Sequence, residues 1–384
     1  MSSAERSVPE ALPVSLQQRL VRAWYADSWW LKSLLPFSWL FNLLARWRRA
    51  RLQTRYQGAA FAVPVIIVGN ISVGGSGKTP LIVALAKALA ERGIKVGVVS
   101  RGYGGHANHY PLDVTPETNV EASGDEPLLI ALELAHLQCP VVVAPDRVAA
   151  VTKLLADHEV DLVLSDDGLQ HYRLHRDVEI ALIDGSRGLG NGRTLPAGPL
   201  RESPERLREV DFVVVNGAFS LGSGPSTTAT GASILATGAS ILATGPSTLA
   251  NIKPDTHIHL QPSVFRHLGS NTSIVAKDWA EAKSVHAVAA IGNPERFRTT
   301  LESLGLAVTL HGKDDHQALV PGDLIFDDEQ PVIITAKDAV KLNGTPRDNL
   351  WVLEVEIALE SDFIDQLIGS AGLTERAEQT TTGS

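Results

Sequence analysis

The chain has 384 residues, 44% of them hydrophobic, and its 43 acidic against 34 basic side chains give a formal net charge of −9. That length suits two domains, and the acidic balance excludes a generally basic surface that follows nucleic-acid phosphates, so no nucleic-acid partner is expected. The single cysteine, Cys139, excludes an intramolecular disulfide and a thiolate zinc site and fits a reducing compartment.

Residues Met1–Pro13 are polar and lack the basic, apolar and small-residue succession of a secretory signal. From Trp24 to Tyr56 the composition changes: five of the seven tryptophans fall here, followed by Arg46, Arg48, Arg49, Arg51 and Arg55. Lys32 and Pro36 interrupt the apolar run before it reaches the roughly 20 residues needed to cross a bilayer. Indoles favour the headgroup region, and each nearby basic side chain gains about 1 kcal/mol at an anionic leaflet. Residues 14–58 are therefore expected to form a helical segment lying in a membrane interface. A helix packed on its own protein, with solvated arginines, is the alternative.

Alternating strand and helix patterns follow, with apolar strand candidates at Val63–Gly69, Ile94–Ser100, Pro140–Ala144, Val160–Leu164, Val178–Ile183 and Asp211–Val215. This order predicts an α/β core with a mostly parallel sheet over residues 59–218. Residues 219–254 carry the heptapeptide Ala-Thr-Gly-Ala-Ser-Ile-Leu at 229–235 and again at 236–242, with a degraded copy at 243–249. Glycine in every copy and missing flanking charges exclude a coiled coil, so a flexible linker is expected. A second, smaller α/β domain is predicted over 255–372, with strands near His257–Leu260, Val285–Ile291, Val308–His311, Val332–Thr335 and Trp351–Val355 and a helix at Pro294–Leu304. Residues 373–384 read as a disordered tail.

The strand ending at Gly69 runs into Asn70-Ile-Ser-Val-Gly-Gly-Ser-Gly-Lys-Thr and then into the helical stretch Pro80–Arg92. Strand, glycine loop and helix in this order form a phosphate-binding loop from Ser72, Val73, Gly74, Gly75, Ser76, Gly77, Lys78 and Thr79. Its backbone N–H groups face phosphate oxygens, Lys78 reaches the β- and γ-phosphates, and Thr79 can ligate magnesium. Ser72 stands where the general pattern has its first glycine. Pro80 falls in the first helical turn, where its missing N–H costs little.

Such a loop needs an acidic partner for magnesium at the end of a nearby strand, and Asp166 and Asp167 follow the strand Val160–Leu164. Transfer to an alcohol also needs a group that takes the hydroxyl proton. Asp125, in Ser-Gly-Asp-Glu-Pro, and His316, in Asp-Asp-His-Gln, are both candidates from spacing.

The ordered motifs Val68-Gly-Asn-Ile-Ser-Val-Gly-Gly-Ser-Gly-Lys-Thr-Pro, Ser100-Arg-Gly-Tyr-Gly-Gly, Gly124-Asp-Glu-Pro and Asp166-Asp-Gly-Leu-Gln-His resemble the tetraacyldisaccharide 4′-kinase family of Gram-negative bacteria. So do Arg176-Asp, Gly190-Asn-Gly-Arg-Thr-Leu-Pro-Ala-Gly-Pro-Leu-Arg-Glu, Ile291-Gly-Asn-Pro and Asp315-His-Gln-Ala-Leu. The resemblance covers about Trp24 to Val355. It implies two Rossmann-like α/β domains, the first a P-loop NTPase domain, with ATP and Mg2+ as cofactors in the cleft between them. It further implies a peripheral enzyme at the cytoplasmic face of the inner membrane. The enzyme moves the γ-phosphate to the 4′-hydroxyl of an acylated glucosamine disaccharide 1-phosphate lipid, giving lipid IVA. No obligate protein partner is implied. Carried over by motif, Asp125 is the proton acceptor, His316 its partner from the second domain, and Lys78 the phosphate-bound cation. Thr79, Glu126, Asp166 and Asp167 form the magnesium shell, with Asp167 favoured as the direct ligand, and Arg101, His171 and Asn191 are candidate substrate contacts.

Two departures stand out. The family's Thr-Glu-Lys-Asp run reads Thr335-Ala-Lys-Asp here, placing Ala336 at the glutamate, and the repeat-bearing loop is longer than the family's connection. A rival reading is a membrane-associated P-loop nucleotide hydrolase acting as a switch. Guanine recognition by an Asn-Lys-x-Asp run is not met at Lys337-Asp338.

Overall fold

The computed structural model describes residues 16–26, 28–56, 60–217, 254–315, 317–342 and 348–373. The repeats at 229–249 and residues 374–384 lie outside the described residues. Helix α1 (Leu16–Tyr25) leads through a 3-10 turn at Trp29–Leu34 into α2 (Leu35–Tyr56), where Pro36 occupies the first turn. Trp24 is buried and donates its indole N–H to Pro196 O at 3.0 Å. Ser38, also buried, donates to Thr194 O at 2.8 Å and accepts from Ala197 N at 2.9 Å. The segment is thus docked through a few specific contacts, while Phe37, Trp39, Leu40, Leu43, Leu44 and Trp47 remain exposed.

An eight-stranded sheet follows. Strand β1 (Val65–Gly69), a fully buried β-branched run, is central. Helix α3 (Lys78–Ala90) comes next, then β2 (Val96–Ser100), β3 (Leu112–Val114), the short helix α4 (Val120–Ser123), α5 (Asp125–Leu134), β4 (Val141–Val143) and α6 (Arg147–Asp157). Strands β5 (Leu162–Asp166), β6 (Val178–Asp184), β7 (Phe212–Asn216) and β8 (Thr256–Ile258) complete the sheet. The spatial order is β3-β4-β2-β5-β1-β6-β7-β8, and only the β3–β4 pair is antiparallel. Alternation along β1 splits the core: Ile66 and Val68 pack under α3 and α5, whereas Val65 and Ile67 face α6.

The second sheet has the order β10-β9-β14-β13-β11-β12. Its elements are β9 (Leu260–His267), β10 (Ser273–Val275), β11 (Ser284–Ala289), α7 (Pro294–Ser303), β12 (Ala307–Gly312), β13 (Val332–Thr335), α8 (Ala336–Ala339), β14 (Leu350–Ile357) and α9 (Ser361–Ser370). Strands β11 to β14 pair in parallel, and β9 runs antiparallel to β10 and β14. The architecture is the expected pairing of a mostly parallel P-loop sheet with a smaller α/β sheet.

The second unit is less self-contained than the expected 255–372 span. The run near His257–Leu260 is two strands in two sheets: Thr256–Ile258 extends the first, and Leu260 opens the second. No turn residue marks the change. Strand β9 was hidden by Pro262, which is tolerated beside a bulge at Glu354/Val355 of its partner. Helix α9 returns to the first core, where Phe363, Ile364, Leu367 and Ile368 are buried and the Phe363 ring meets Phe212 edge-on at 5.5 Å. Arg92, just past α3, holds α9 through Asp365 at 3.1 Å and Ser361 Oγ at 2.8 Å.

Candidate active site

The loop after β1 is fixed from several sides. Buried Asn70 donates to Gly74 O at 3.4 Å and accepts from Lys78 Nζ at 3.2 Å. Val73 N donates to Pro199 O at 2.8 Å, and Arg201 N to Ile71 O at 2.6 Å. Ser72 pairs with Leu200 rather than facing the cleft, while Val73 through Thr79 line a cavity of about 1150 Å³ between the two sheets. Ser76 Oγ is buried there without a hydrogen-bond partner. An unmet polar atom and a ring of backbone amides at the start of α3 are what a phosphate satisfies.

Register sets the acidic partner beside this loop. Val68 of β1 pairs with Asp166 of β5, so the carboxyl ends of neighbouring strands deliver loop and carboxylate together. Asp166 accepts from Ser100 Oγ at 3.1 Å, and its Oδ1 is buried with no partner. Burial, then the charges of Glu126 and Asp167, push its pKa up to about 7. Asp167 sits in a left-handed turn (φ 46°) between Lys78 Nζ at 3.5 Å and Arg201 Nη1 at 3.2 Å. Burial opposes its charge, but Lys78, Arg201 and Arg147 outweigh that and hold it at about 2. Arg147 also donates to the carbonyls of both aspartates at 3.0 Å.

Asp125 and Glu126 open α5 after Gly124, where acidic groups suit the helix N-terminus. Asp125 is buried, and its Oδ1 accepts from Glu126 N at 3.0 Å. The second domain answers with two lysines. Lys337 Nζ lies 2.9 Å from Glu126, 3.8 Å from Asp125 and 3.7 Å from Asp315, and Lys341 lies 3.4 Å from Asp125. Burial disfavours the Lys337 charge, but Glu126, Asp125 and Asp315 outweigh it and raise its pKa beyond the lysine range. The Thr335-Ala-Lys-Asp run holds this geometry. Asp338, fully buried, accepts from Thr335 Oγ1 at 2.7 Å and Ala290 N at 3.1 Å, and Ala336 opens the short helix α8 between them.

A family model described as tetraacyldisaccharide-1-P 4′-kinase matches residues 30–371. The tetraacyldisaccharide 4′-kinase of Alcanivorax borkumensis is 42% identical over 358 residues, covering 93% of this chain and 98% of that one. That of Chromobacterium violaceum is 45% identical over 356 residues, covering 90% and 95%. The chain belongs to the tetraacyldisaccharide 4′-kinase family. Its fold matches the crystal structure of LpxK from Aquifex aeolicus in complex with ATP, with a TM-score of 0.66, 28% identity and coverage of 90% of this chain and 99% of that one.

Within this kinase, Lys78, Thr79, Glu126, Asp166, Asp167 and Arg101 line one cavity, with Asp125 buried behind Lys337 and Glu126. His316 lies outside the described residues. The side chain of Asn191 is occupied by its own loop, donating to Ala197 O at 2.8 Å and accepting from Arg193 N at 3.2 Å, and does not line the cavity. His171 is also set back, near Asp146 at 3.7 Å, with burial first and then Arg147 pressing its pKa down to about 4. Spacing had not singled out Arg147, Arg201 and Lys337. Arg201 and Lys337 sit inside recognised motifs, whereas Arg147 had no signal beyond the helix-capping Asp146 before it.

Proposed function

We infer that this chain transfers the γ-phosphate of ATP to the 4′-hydroxyl of a tetraacyldisaccharide 1-phosphate lipid. The observation that carries the reading is the convergence, in a chain of this family, of the P-loop, the Asp166–Asp167 pair and Glu126 on one interdomain cleft, with Asp125 buried next to Glu126. Asp125 accepts the proton as the sugar oxygen bonds to the γ-phosphorus and the bond from that phosphorus to the β–γ bridging oxygen breaks, releasing ADP. Lys78 and the loop amides offset charge on the transferring group. His316 is assigned to support Asp125 on its motif alone.

The donor set suits Mg2+. Asp166 has an open buried oxygen, Thr79 stands at the helix start, and Glu126 and Asp167 are close by. Among the described residues, no three His, Cys, Asp or Glu side chains form a protein-only cage. When bound, Mg2+ neutralises charge on the phosphates. Asp166, with its unpaired oxygen, is the better direct ligand; Asp167, favoured by sequence, is tied to Lys78 and Arg201.

The acceptor's acyl chains call for a membrane site. Trp39 and Trp47 are 70% and 58% exposed on α2, and Arg46, Arg48 and Arg51 are exposed near them. This aromatic-basic face supports peripheral binding to an anionic bilayer at the cytoplasmic side of the inner membrane. None of the described helices is long and apolar enough to cross one.

The test is incubation of detergent-solubilised protein with γ-labelled ATP, Mg2+ and the disaccharide 1-phosphate. Label should enter the lipid, and release of free phosphate alone would favour a nucleotide switch. Asp125→Asn should lower turnover by about 10²- to 10⁴-fold with ATP affinity retained. Parallel loss of ATP binding would remove Asp125 from the proton-accepting role.

A further inference from the structure

A second set of contacts reaches the P-loop from the second domain, whose Gly292 and Arg296 line the same cavity. Asn216, at the end of β7, is fully buried; its Nδ2 donates to Ser76 O at 2.9 Å, and its Oδ1 accepts from Arg296 Nη2 at 2.5 Å. Arg296 belongs to α7 of the second domain, and its other terminal nitrogen lies 3.6 Å from Asp184. Nearby, Arg187 Nη2 donates to Gly292 O at 2.5 Å, and a Cβ on Gly292 would fall 2.5 Å from Gly75 N. The two domains therefore meet backbone against backbone at the loop itself.

The chemistry of this relay is directional. In a trans peptide the C=O and N–H point to opposite sides. Holding Ser76 O toward Asn216 turns the Gly77 N–H the other way, toward the face where a phosphate is held. Gly77 is in the left-handed region (φ 94°), and a Cβ there would lie 2.4 Å from Asn216 Nδ2, so the loop is pressed against its brace. The Asn216 carboxamide could flip end for end, and then its oxygen would face Ser76 O. Arg296 prevents this, because a guanidinium only donates and so demands Oδ1.

We propose that Arg296, acting through Asn216, is a positioning residue by which the second domain sets the Ser76–Gly77 peptide in its phosphate-binding orientation. The proposal rests on the reading that ATP binds at this loop. Because the contact crosses the domain boundary, ATP binding and docking of α7 favour each other by the same factor.

Equilibrium titration with a fluorescent ATP analogue, in the presence and absence of Mg2+, tests it on the full chain. Arg296→Ala should weaken ATP binding by about tenfold, the worth of one such hydrogen bond, and Arg296→Lys should restore part of it. The steady-state loss should fall on KM for ATP, with KM for the lipid unchanged. Asn216→Asp separates this role from simple domain adhesion. It keeps the shape and strengthens the pair with Arg296, but it places a carboxylate oxygen against Ser76 O. We expect it to lose ATP affinity at least as much as Arg296→Ala while its melting temperature is kept. Wild-type affinity in both Asn216→Asp and Arg296→Ala would overturn the proposal. Failure of the unaltered protein to bind ATP would instead remove the nucleotide reading, and the inference with it.

Discussion

Adjacent residues of one type can be driven to opposite states by their surroundings. Asp166 and Asp167 share a motif, yet burial against other carboxylates raises one to about 7 and three cations hold the other near 2. The motif made the pair legible; strand register and the positions of Arg147 and Arg201 decide which does what, and neither is written in local spacing. His171 shows the same limit, since its place in Asp-Gly-Leu-Gln-His suggested a substrate contact while folding sets it among Arg147, Arg173 and Arg176. Its pKa falls from 6.5 to about 4 on folding, so the unfolded chain takes up the proton more readily. Its contribution is intact above pH 6.5 and is lost progressively as pH falls from 6.5 to about 4. Melting temperatures across that window should fall less steeply in His171→Gln than in the unaltered protein, and identical slopes would exclude this source.

At the scale of elements, the repeated strand–loop–helix order made the first sheet readable, and β1, α3 and β5 lie near where periodicity put them. What sequence pattern does not carry is the partner of an amphipathic helix. Helix α9 follows β14 of the second sheet, yet its apolar face completes the core formed by α3 and α5. Phe363→Ala should therefore destabilise the first unit by about 3 kcal/mol, the usual cost of emptying a buried phenyl site, read as a lower urea midpoint. A change below about 0.5 kcal/mol, the range of neutral surface substitutions, would mean that α9 is not part of that core. The same helix closes the chain back across the cleft, so the two sheets are joined through β8–β9 and again through β14–α9. Two crossings restrict relative motion to a hinge more than a free swing.

For the whole molecule, one end of the fold carries indoles and guanidinium groups and the centre carries the nucleotide cavity. Replacing Trp39 and Trp47 together by Asp should reduce sedimentation with anionic vesicles by about tenfold or more, with no change in melting temperature because both side chains are exposed. Unchanged sedimentation would return α2 to the role of an ordinary surface helix. Composition alone had exposed this segment; it could not show that Ser38 and Trp24 grip residues 194–197, or that Pro199 in the same loop receives the amide of Val73. Through that short path the phosphate loop sits at a nearly fixed height over whatever surface α2 rests upon. With α2 seated on a bilayer as proposed, the enzyme would search in two dimensions. Its rate would then follow the mole fraction of acceptor in the surface more than the amount in the tube, so adding inert detergent or phospholipid at constant acceptor should slow it by surface dilution.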